Sequence, residues 1–158
     1  MWNKLKEFVP DDVKVVDLVG KLVSKELYLS DENRNEQDAS AIVFSHLFGP
    51  QERALFEIGD WDGLFGVVNI VPNWKGDLFF KFWGKQEWGP DLWRELQEAL
   101  ECIIDKFKLE KVSLSTPDHH TSRLAEFFGF EKEGLIKNNF MWGGEHYDVL
   151  CLGLNRRG

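Results

Sequence analysis

The segment that decides the fold reads Phe82-Trp83-Gly84-Lys85-Gln86-Glu87-Trp88-Gly89 and leads directly into an amphipathic stretch. Apolar residues then recur at the three- and four-residue spacing of one helix face: Leu92, Leu96, Ala99, Leu100, Ile103 and Phe107. Pro90 suits the first helical position, because the helix does not need the N–H that proline lacks. The segment therefore predicts a strand that leaves through glycines and passes into a helix.

Upstream of this segment, three apolar runs predict an antiparallel meander. The runs cover 54–58, 64–71 and 78–83, and polar turn residues at 60–63 and 72–77 separate them. The Asp-Gly pair in the first turn is a hairpin signal, because glycine accepts the positive φ that tight turns require. Asp60 and Asp62 lack the further oxygen ligands of a calcium loop, so no metal site is expected there.

Downstream, a strand, a helix and a hairpin follow in that order. Residues 111–116 alternate as a strand does, and Pro117-Asp118 ends that strand and caps the next helix. Gly129 is placed to terminate this helix in the left-handed conformation, with Phe130 folding back on the last turn. The final hairpin joins 135–142 to 147–154 through a Gly-Gly turn.

The N-terminal third carries weaker signals. Residues 11–30 contain many valines and leucines whose spacing fits either a strand or a helix, and the sequence leaves the choice open. The polar run 31–38 leads into apolar residues at helical spacing between Ala39 and Leu47, which predicts a helix there.

Composition bounds the class of protein. A chain of 158 residues with 43% hydrophobic residues fits a single domain, 1–158, with a real core. The net charge of −8 argues against a nucleic-acid partner, because phosphate binding requires clustered Lys and Arg. An acidic surface suits a cationic substrate such as an amine, although a merely solvated acidic face is the commoner reason for such a charge.

The cysteines and the hydropathy pattern indicate in which cellular compartment the protein is expected. Cys102 and Cys151 lie in a predicted helix and a predicted strand, where we expect small buried side chains and neither a disulfide nor a metal pair. No apolar run approaches the length that spans a bilayer, so we expect no membrane partner. The chain is therefore predicted to be cytoplasmic.

The order of the predicted elements, together with three local matches, resembles the GNAT family of N-acetyltransferases, most of all its RimJ/RimL branch. Residues 122–134 are similar to that branch's Ser-Arg-Leu helix, its terminal Leu-Gly-Phe and its Glu-Gly strand. Residues 144–148 resemble its closing glycine, spacer and aspartate, and Trp88-Gly89 stands where its pyrophosphate loop opens. The resemblance covers about 53–155 and implies an α+β fold with a mixed, mostly antiparallel sheet flanked by helices.

The resemblance also implies a cofactor, acetyl-CoA, and an amine substrate, which is a protein N-terminus or a small molecule. The cofactor-binding residues that it implies are Phe82, Trp83, Lys85, Trp88, Gly89, Asp91, Leu92, Trp93, Arg94, His119 and Ser122. Phe82 and Trp83 stand where the family's strand pairs with the pantetheine arm. Ser122 stands where the family has the serine that protonates the departing thiolate, although it equally suits a role in capping its helix.

The pyrophosphate loop departs from the family's pattern. Family members place two further glycines after Trp-Gly, where this chain has Asp91 and Trp93 with Pro90 before them. Proline removes a donor, tryptophan hinders close approach to the backbone, and a carboxylate repels a phosphate. Lys85 and Arg94 flank the loop and offer compensating positive charge. The expected cofactor site is therefore weakened.

Candidate bases for the substrate amine are Asp77, Glu57 and Glu87, although such residues are more often plain surface carboxylates. We favour an acetyl-CoA-dependent N-acetyltransferase that works by direct attack of the amine. The alternative is a catalytically lapsed binding module that uses its aromatic cleft for a protein or another ligand. An oligomer is compatible with the sequence, and the acceptor amine is not determined by it.

Overall fold

A computed structural model describes residues 2–22, 41, 44–84, 89–142 and 144–156. Its contacts divide the chain into two compact units, each built from separate stretches of sequence. The first unit comprises Met1–Val9, Gln51–Val112 and Arg156–Gly158, and the second comprises Pro10–Pro50 and Ser113–Asn155. That 1–158 form one domain stays a prediction.

The described elements follow one another in an α+β order. In sequence they are β1 (Leu5–Glu7), α1 (Asp12–Leu22), β2 (Glu52–Ile58), β3 (Gly63–Val71), β4 (Lys75–Phe82), α2 (Pro90–Phe107), β5 (Lys111–Thr116), α3 (His119–Phe127), β6 (Glu131–Trp142) and β7 (Glu145–Asn155). Residues 44–48 are also helical. None of the described helices has the length and apolar character needed to cross a membrane.

The first unit is an antiparallel sheet with the strand order β1-β2-β3-β4, against which α2 packs. The predicted hairpin at 60–63 is confirmed, because β2 ends at Ile58 and β3 begins at Gly63 directly opposite it. Leu64, Phe65 and Val67 of β3 are fully buried. The central strand therefore forms the core on which α2 lies.

Helix α2 forms as the sequence predicts. Gly89 is its N-cap, Pro90 occupies the first helical position, and Lys108 closes the other end in the left-handed conformation with φ of 54°. The apolar stripe is buried: Leu92, Leu96, Ala99, Leu100, Ile103 and Ile104. Phe107 is only half-buried, since it lies in the last turn.

The second unit contains most of β5 and the strand order β5-β7-β6. Asp118 caps α3 by accepting from the backbone N–H groups of His120 and Thr121, as predicted. Gly129 follows the helix with φ of +93°, and Phe130 donates its N–H to Ala125 O and is buried. The predicted hairpin is confirmed as β6 and β7, which pair antiparallel.

Three local expectations change in the structure. The ambiguous segment 11–30 is helical from Asp12 to Leu22, and 23–30 lie outside the described residues, as do residues 39, 40, 42 and 43 of the predicted 39–47 helix, whose described residues are helical. Strand β1 was not anticipated from the sequence. The expectation that Cys102 is buried is wrong, because it lies one turn beyond exposed Glu98 on the solvent face of α2.

Candidate functional site

The end of β4 is held by the turn between β2 and β3. Phe82, the last residue of β4, lies opposite Gly63 and is half-buried. The backbone N–H groups of Trp83 and Gly84 both donate to the carbonyl oxygen of Asp62, each over 2.9 Å. The Asp62 carbonyl oxygen therefore fixes the point at which the chain leaves the sheet.

The side chain of Trp83 is fixed by the same turn. Its indole Nε1 donates to Trp61 O over 2.8 Å, and the two indole rings meet edge to face with centroids 5.2 Å apart. Trp61 itself has φ of 59°, an uncommon conformation for a large side chain. Contacts within the first unit therefore hold Trp83, which was predicted to line the cofactor.

Gly84 fits because it has no side chain. A Cβ atom on Gly84 would overlap the carboxylate of Asp62, whose Oδ2 also accepts from Asp60 N–H over 3.3 Å. The sequence predicts Asp62 only as a turn residue that lacks the further ligands of a calcium site. The approach of these two residues was not readable from the sequence, because 22 positions separate them along the chain.

Helix α2 begins with backbone donors that the helix itself does not use. Gly89 is extended, with φ of −117° and ψ of 171°, and has no side chain with which to cap the helix. Trp93 donates its N–H to Gly89 O over 3.2 Å, which is the first bond of the helix. Pro90 has no N–H, so the amides of Asp91 and Leu92 are the ones left without intrahelical acceptors. These two amides are where an anion would bind.

The side chains around the start of α2 differ in exposure and in charge. Asp91 is exposed, while Leu92 is buried in the core, so that only its backbone amide is available to a ligand. Trp93 is half-buried. Arg94 points along the helix towards Glu98, with 3.5 Å between Nη1 and Oε1, and such an exposed pair opens at little cost.

Two predicted cofactor residues, Lys85 and Trp88, lie outside the described residues, as does the candidate base Glu87. The glycines on both sides of the gap, Gly84 and Gly89, are described. The structure therefore defines how the chain enters and leaves the predicted loop.

His119 and Ser122 belong to the second unit, on α3. His119 is exposed at the first position of that helix. Ser122 is 2% exposed and donates its backbone N–H to Asp118 O over 3.1 Å. Since the capping side chain is that of Asp118, the buried Ser122 hydroxyl is not used as a helix cap.

The carboxylates that were candidate bases occupy different places in the first unit. Asp77 is exposed on β4, five residues before Phe82, and accepts from Asn69 Nδ2 over 3.1 Å. At the rise of a strand, this separation from the end of β4 is about 17 Å. Glu57 is buried, with Oε2 3.2 Å from Lys6 Nζ. The structure therefore places Asp77 away from the end of β4 and buries Glu57 against Lys6.

Sequence reasoning missed a buried charge on α2. Glu95 is fully buried, and its Oε1 accepts from the backbone N–H of Lys4 over 2.8 Å. Its position three residues after Leu92 and four before Ala99 places it on the apolar face of the helix. That helical spacing was the signal available in the sequence.

Comparison with solved structures shows which fold these elements build. Spermidine N-acetyltransferase from Vibrio cholerae, solved in complex with CoA and spermine, superposes with a TM-score of 0.68 at 16% identity, over 97% of this chain and 96% of that one. The chain has the fold of the GNAT acetyltransferases. A GNAT-family acetyltransferase from Bacillus anthracis is similarly close, with a TM-score of 0.67 at 14% identity over 98% and 96% of the two chains.

The expected GNAT fold class, α+β with a mixed, mostly antiparallel sheet flanked by helices, is thus confirmed. No protein-family profile matches the sequence. No curated protein matches it significantly. The GNAT fold was therefore recognisable in the order of elements and a few local motifs, while overall sequence identity to these structures is only 14–16%.

Proposed function

We propose that this chain is an acetyl-CoA-dependent N-acetyltransferase that transfers an acetyl group to an amine by direct attack. The amine is a protein N-terminus or a small molecule, as in the RimJ/RimL branch that the sequence resembles. Likeness in fold to acetyltransferases supports the class of reaction, one of them having been solved with CoA and spermine. The residues of the site carry the rest of the argument.

The observation that carries the proposal is the start of α2. The amides of Asp91 and Leu92 have no acceptor within the helix, and they lie at its positive end. The diphosphate of coenzyme A has the charge and the oxygen acceptors that such amides bind. Acetyl-CoA, when bound, supplies the thioester whose acetyl group is transferred.

Asp91 opposes this binding with its own charge. One carboxylate 5 Å from one phosphate charge costs roughly 1 kcal/mol in water and about 3 near a protein surface. Arg94 lies three residues later on the same exposed side of the helix start and offers a compensating charge if it leaves Glu98. We therefore propose that this chain binds the diphosphate of coenzyme A more weakly than a glycine-rich pyrophosphate loop does.

The transfer itself requires a deprotonated amine and a proton for the departing sulfur. We propose that the Ser122 hydroxyl donates that proton, because it is buried on α3 and Asp118 does the capping. Asp77 is the proposed base: its exposed carboxylate lies about 17 Å along β4 from the end of the strand, away from the proposed diphosphate site, and would accept the amine's proton through water. The net charge of −8 favours the approach of a cationic amine.

Isothermal titration with acetyl-CoA tests the proposal, followed by mass spectrometry of amines incubated with the protein and acetyl-CoA. We expect a measurable heat in the micromolar to millimolar range and a gain of one acetyl group on an acceptor. Ser122→Ala should lower kcat with little change in the affinity for acetyl-CoA, because the hydroxyl acts on the leaving group.

An absence of heat at millimolar acetyl-CoA would contradict the proposal and favour the lapsed binding module. Binding without transfer to any amine, in a protein whose Ser122→Ala variant behaves identically, would contradict the catalytic roles while keeping the cofactor site. Arg123→Ala, on the exposed side of α3 next to Ser122, serves as the matched control for fold and binding.

A further inference from the structure

The turn between β2 and β3 contains two residues in the left-handed conformation. Gly59 has φ of 57° and Trp61 has φ of 59°. Glycine adopts this conformation without strain, whereas a large side chain is uncommon there and strains the backbone. A tryptophan at position 61 therefore depends on surrounding contacts that compensate for the strain, and such positions are often functional.

The indole ring of Trp61 makes such contacts with two other aromatic rings. It stacks on Phe8, with the ring centroids 5.7 Å apart and the planes at 25°, and it meets Trp83 edge to face over 5.2 Å. Both arrangements are ones in which aromatic rings attract each other. Phe8 is buried and directly follows β1, while Trp83 directly follows β4. The Trp61 ring is therefore held by two segments that are distant in the sequence.

The backbone of the same turn positions the residues that follow β4. The conformation of Trp61 sets the direction of the peptide groups that come after it. The carbonyl oxygen of Trp61 accepts from Trp83 Nε1, and that of Asp62 accepts from the N–H groups of Trp83 and Gly84. These donors are used within the protein, so the turn contributes the placement of Trp83 and Gly84 and not additional donors for a ligand.

This placement matters for the segment that leads from β4 to the proposed diphosphate site. Residues 85–88 join Gly84 to Gly89, the N-cap of α2. When both ends of a short segment are fixed, it has fewer conformations to give up on binding a ligand. Helix α2 fixes the end at Gly89, and the turn around Trp61 fixes the end at Gly84.

We propose that Trp61 is a positioning residue for acetyl-CoA binding, which acts through Trp83 and Gly84 on the segment before α2. This role rests on the proposed function, because acetyl-CoA is the ligand that the segment serves. The two ring contacts hold Trp61 in its left-handed conformation, and that conformation directs the carbonyl oxygens of Trp61 and Asp62 at the end of β4. A glycine at position 61 would avoid the backbone strain but would lose the ring that fixes the turn.

Trp61→Gly tests this role, because it relieves the backbone strain and removes the ring at the same time. In isothermal titration of the full chain, the dissociation constant for acetyl-CoA should rise about tenfold. The kcat at saturating acetyl-CoA should stay within about twofold of the wild type, because Trp61 does not act in the chemical step. Trp61→Phe keeps an aromatic ring and should return the dissociation constant to within about threefold of the wild type.

Amide hydrogen exchange without ligand measures the same role independently of acetyl-CoA. The Trp83 and Gly84 amides should exchange about tenfold faster in Trp61→Gly than in the wild type or in Trp61→Phe. Trp74→Gly is the matched control, because it makes the same change at an exposed residue of the turn between β3 and β4. Its dissociation constant for acetyl-CoA and its Gly84 exchange rate should stay within about twofold of the wild type.

Phe8→Leu provides a second variant, since it keeps a buried apolar side chain but removes the stacking on Trp61, and it should raise the dissociation constant about threefold. Melting curves verify that each variant folds, and if Trp61→Gly does not, Phe8→Leu decides by the same two measurements. Unchanged acetyl-CoA affinity or unchanged Gly84 exchange in the folded variant would overturn the positioning role and leave the proposed function intact. A wild-type chain that gives no heat with acetyl-CoA would overturn the proposed function, and the positioning role with it.

Discussion

Asp91 is the residue whose charge opposes the proposed cofactor most directly. Asp91→Asn removes the carboxylate and leaves the backbone amide in place, so the affinity for acetyl-CoA should rise about fivefold to tenfold. Isothermal titration calorimetry measures this affinity. Asp105→Asn is the control, since it removes the same charge from the exposed far end of α2. An equal gain in both variants would mean that only net charge matters.

Gly84 is the residue that the β2–β3 turn leaves no room to replace. Gly84→Ala forces the new Cβ atom against the Asp62 carboxylate and should lower the free energy of unfolding by about 2 kcal/mol, measured by urea denaturation. Gly134→Ala, whose Cβ atom would be in open space, should change it by less than about 1 kcal/mol.

A double-mutant cycle tests whether overlap with the Asp62 side chain causes the stability loss expected for Gly84→Ala. In the Asp62→Gly background the whole side chain, Cβ included, is gone while the carbonyl that binds Trp83 and Gly84 remains. Gly84→Ala should therefore be markedly less destabilising there. If Gly84→Ala lowered the free energy of unfolding equally in both backgrounds, the backbone and not the Asp62 side chain would be the cause.

At the scale of an element, α3 depends on its cap. Asp118 accepts from His120 N–H, Thr121 N–H and the Thr121 hydroxyl, over 3.1, 3.3 and 2.7 Å. Asp118→Ala should lower the free energy of unfolding by about 1 kcal/mol in chemical denaturation. Asp118→Asn keeps a capping oxygen and should stay close to the wild type. If both variants lost the same stability, the charge and not the cap would be responsible.

At the scale of the whole chain, distant segments of the first unit are joined through a buried charge. Glu95 of α2 accepts from Lys4 N–H, and its Oε2 has no hydrogen-bond partner in the described part of the chain. Glu95→Ala leaves the Lys4 amide unpaired and opens a cavity, so it should cost about 2 kcal/mol or more. Glu95→Gln keeps an acceptor without a buried charge.

Denaturation and amide hydrogen exchange measure this pair of variants. We expect Glu95→Gln to be at least as stable as the wild type and to keep the Lys4 amide protected, whereas Glu95→Ala should expose it. A Glu95→Gln variant as unstable as Glu95→Ala would show that the ionised carboxylate itself is required.

The candidate site was predictable where its signals are local. Gly89 and Pro90 mark the start of α2, and Asp118 marks the start of α3, because each acts on its own next turn. The burial of Leu92 also follows from helical spacing. What Trp83 contacts was not predictable, because its partner Trp61 lies in a turn that only the sheet brings near.

The sequence by itself determined the order of strands and helices from β2 onwards, the start of α2, the ends of α3 and the final hairpin, because periodicity, Pro90 and Gly129 act over a few residues. Only the tertiary structure decided that 12–22 are helical, since the valine-rich pattern suits two periods equally. It also decided that β1 pairs with β2 and that Glu95 is buried, because both depend on partners about fifty to ninety residues away.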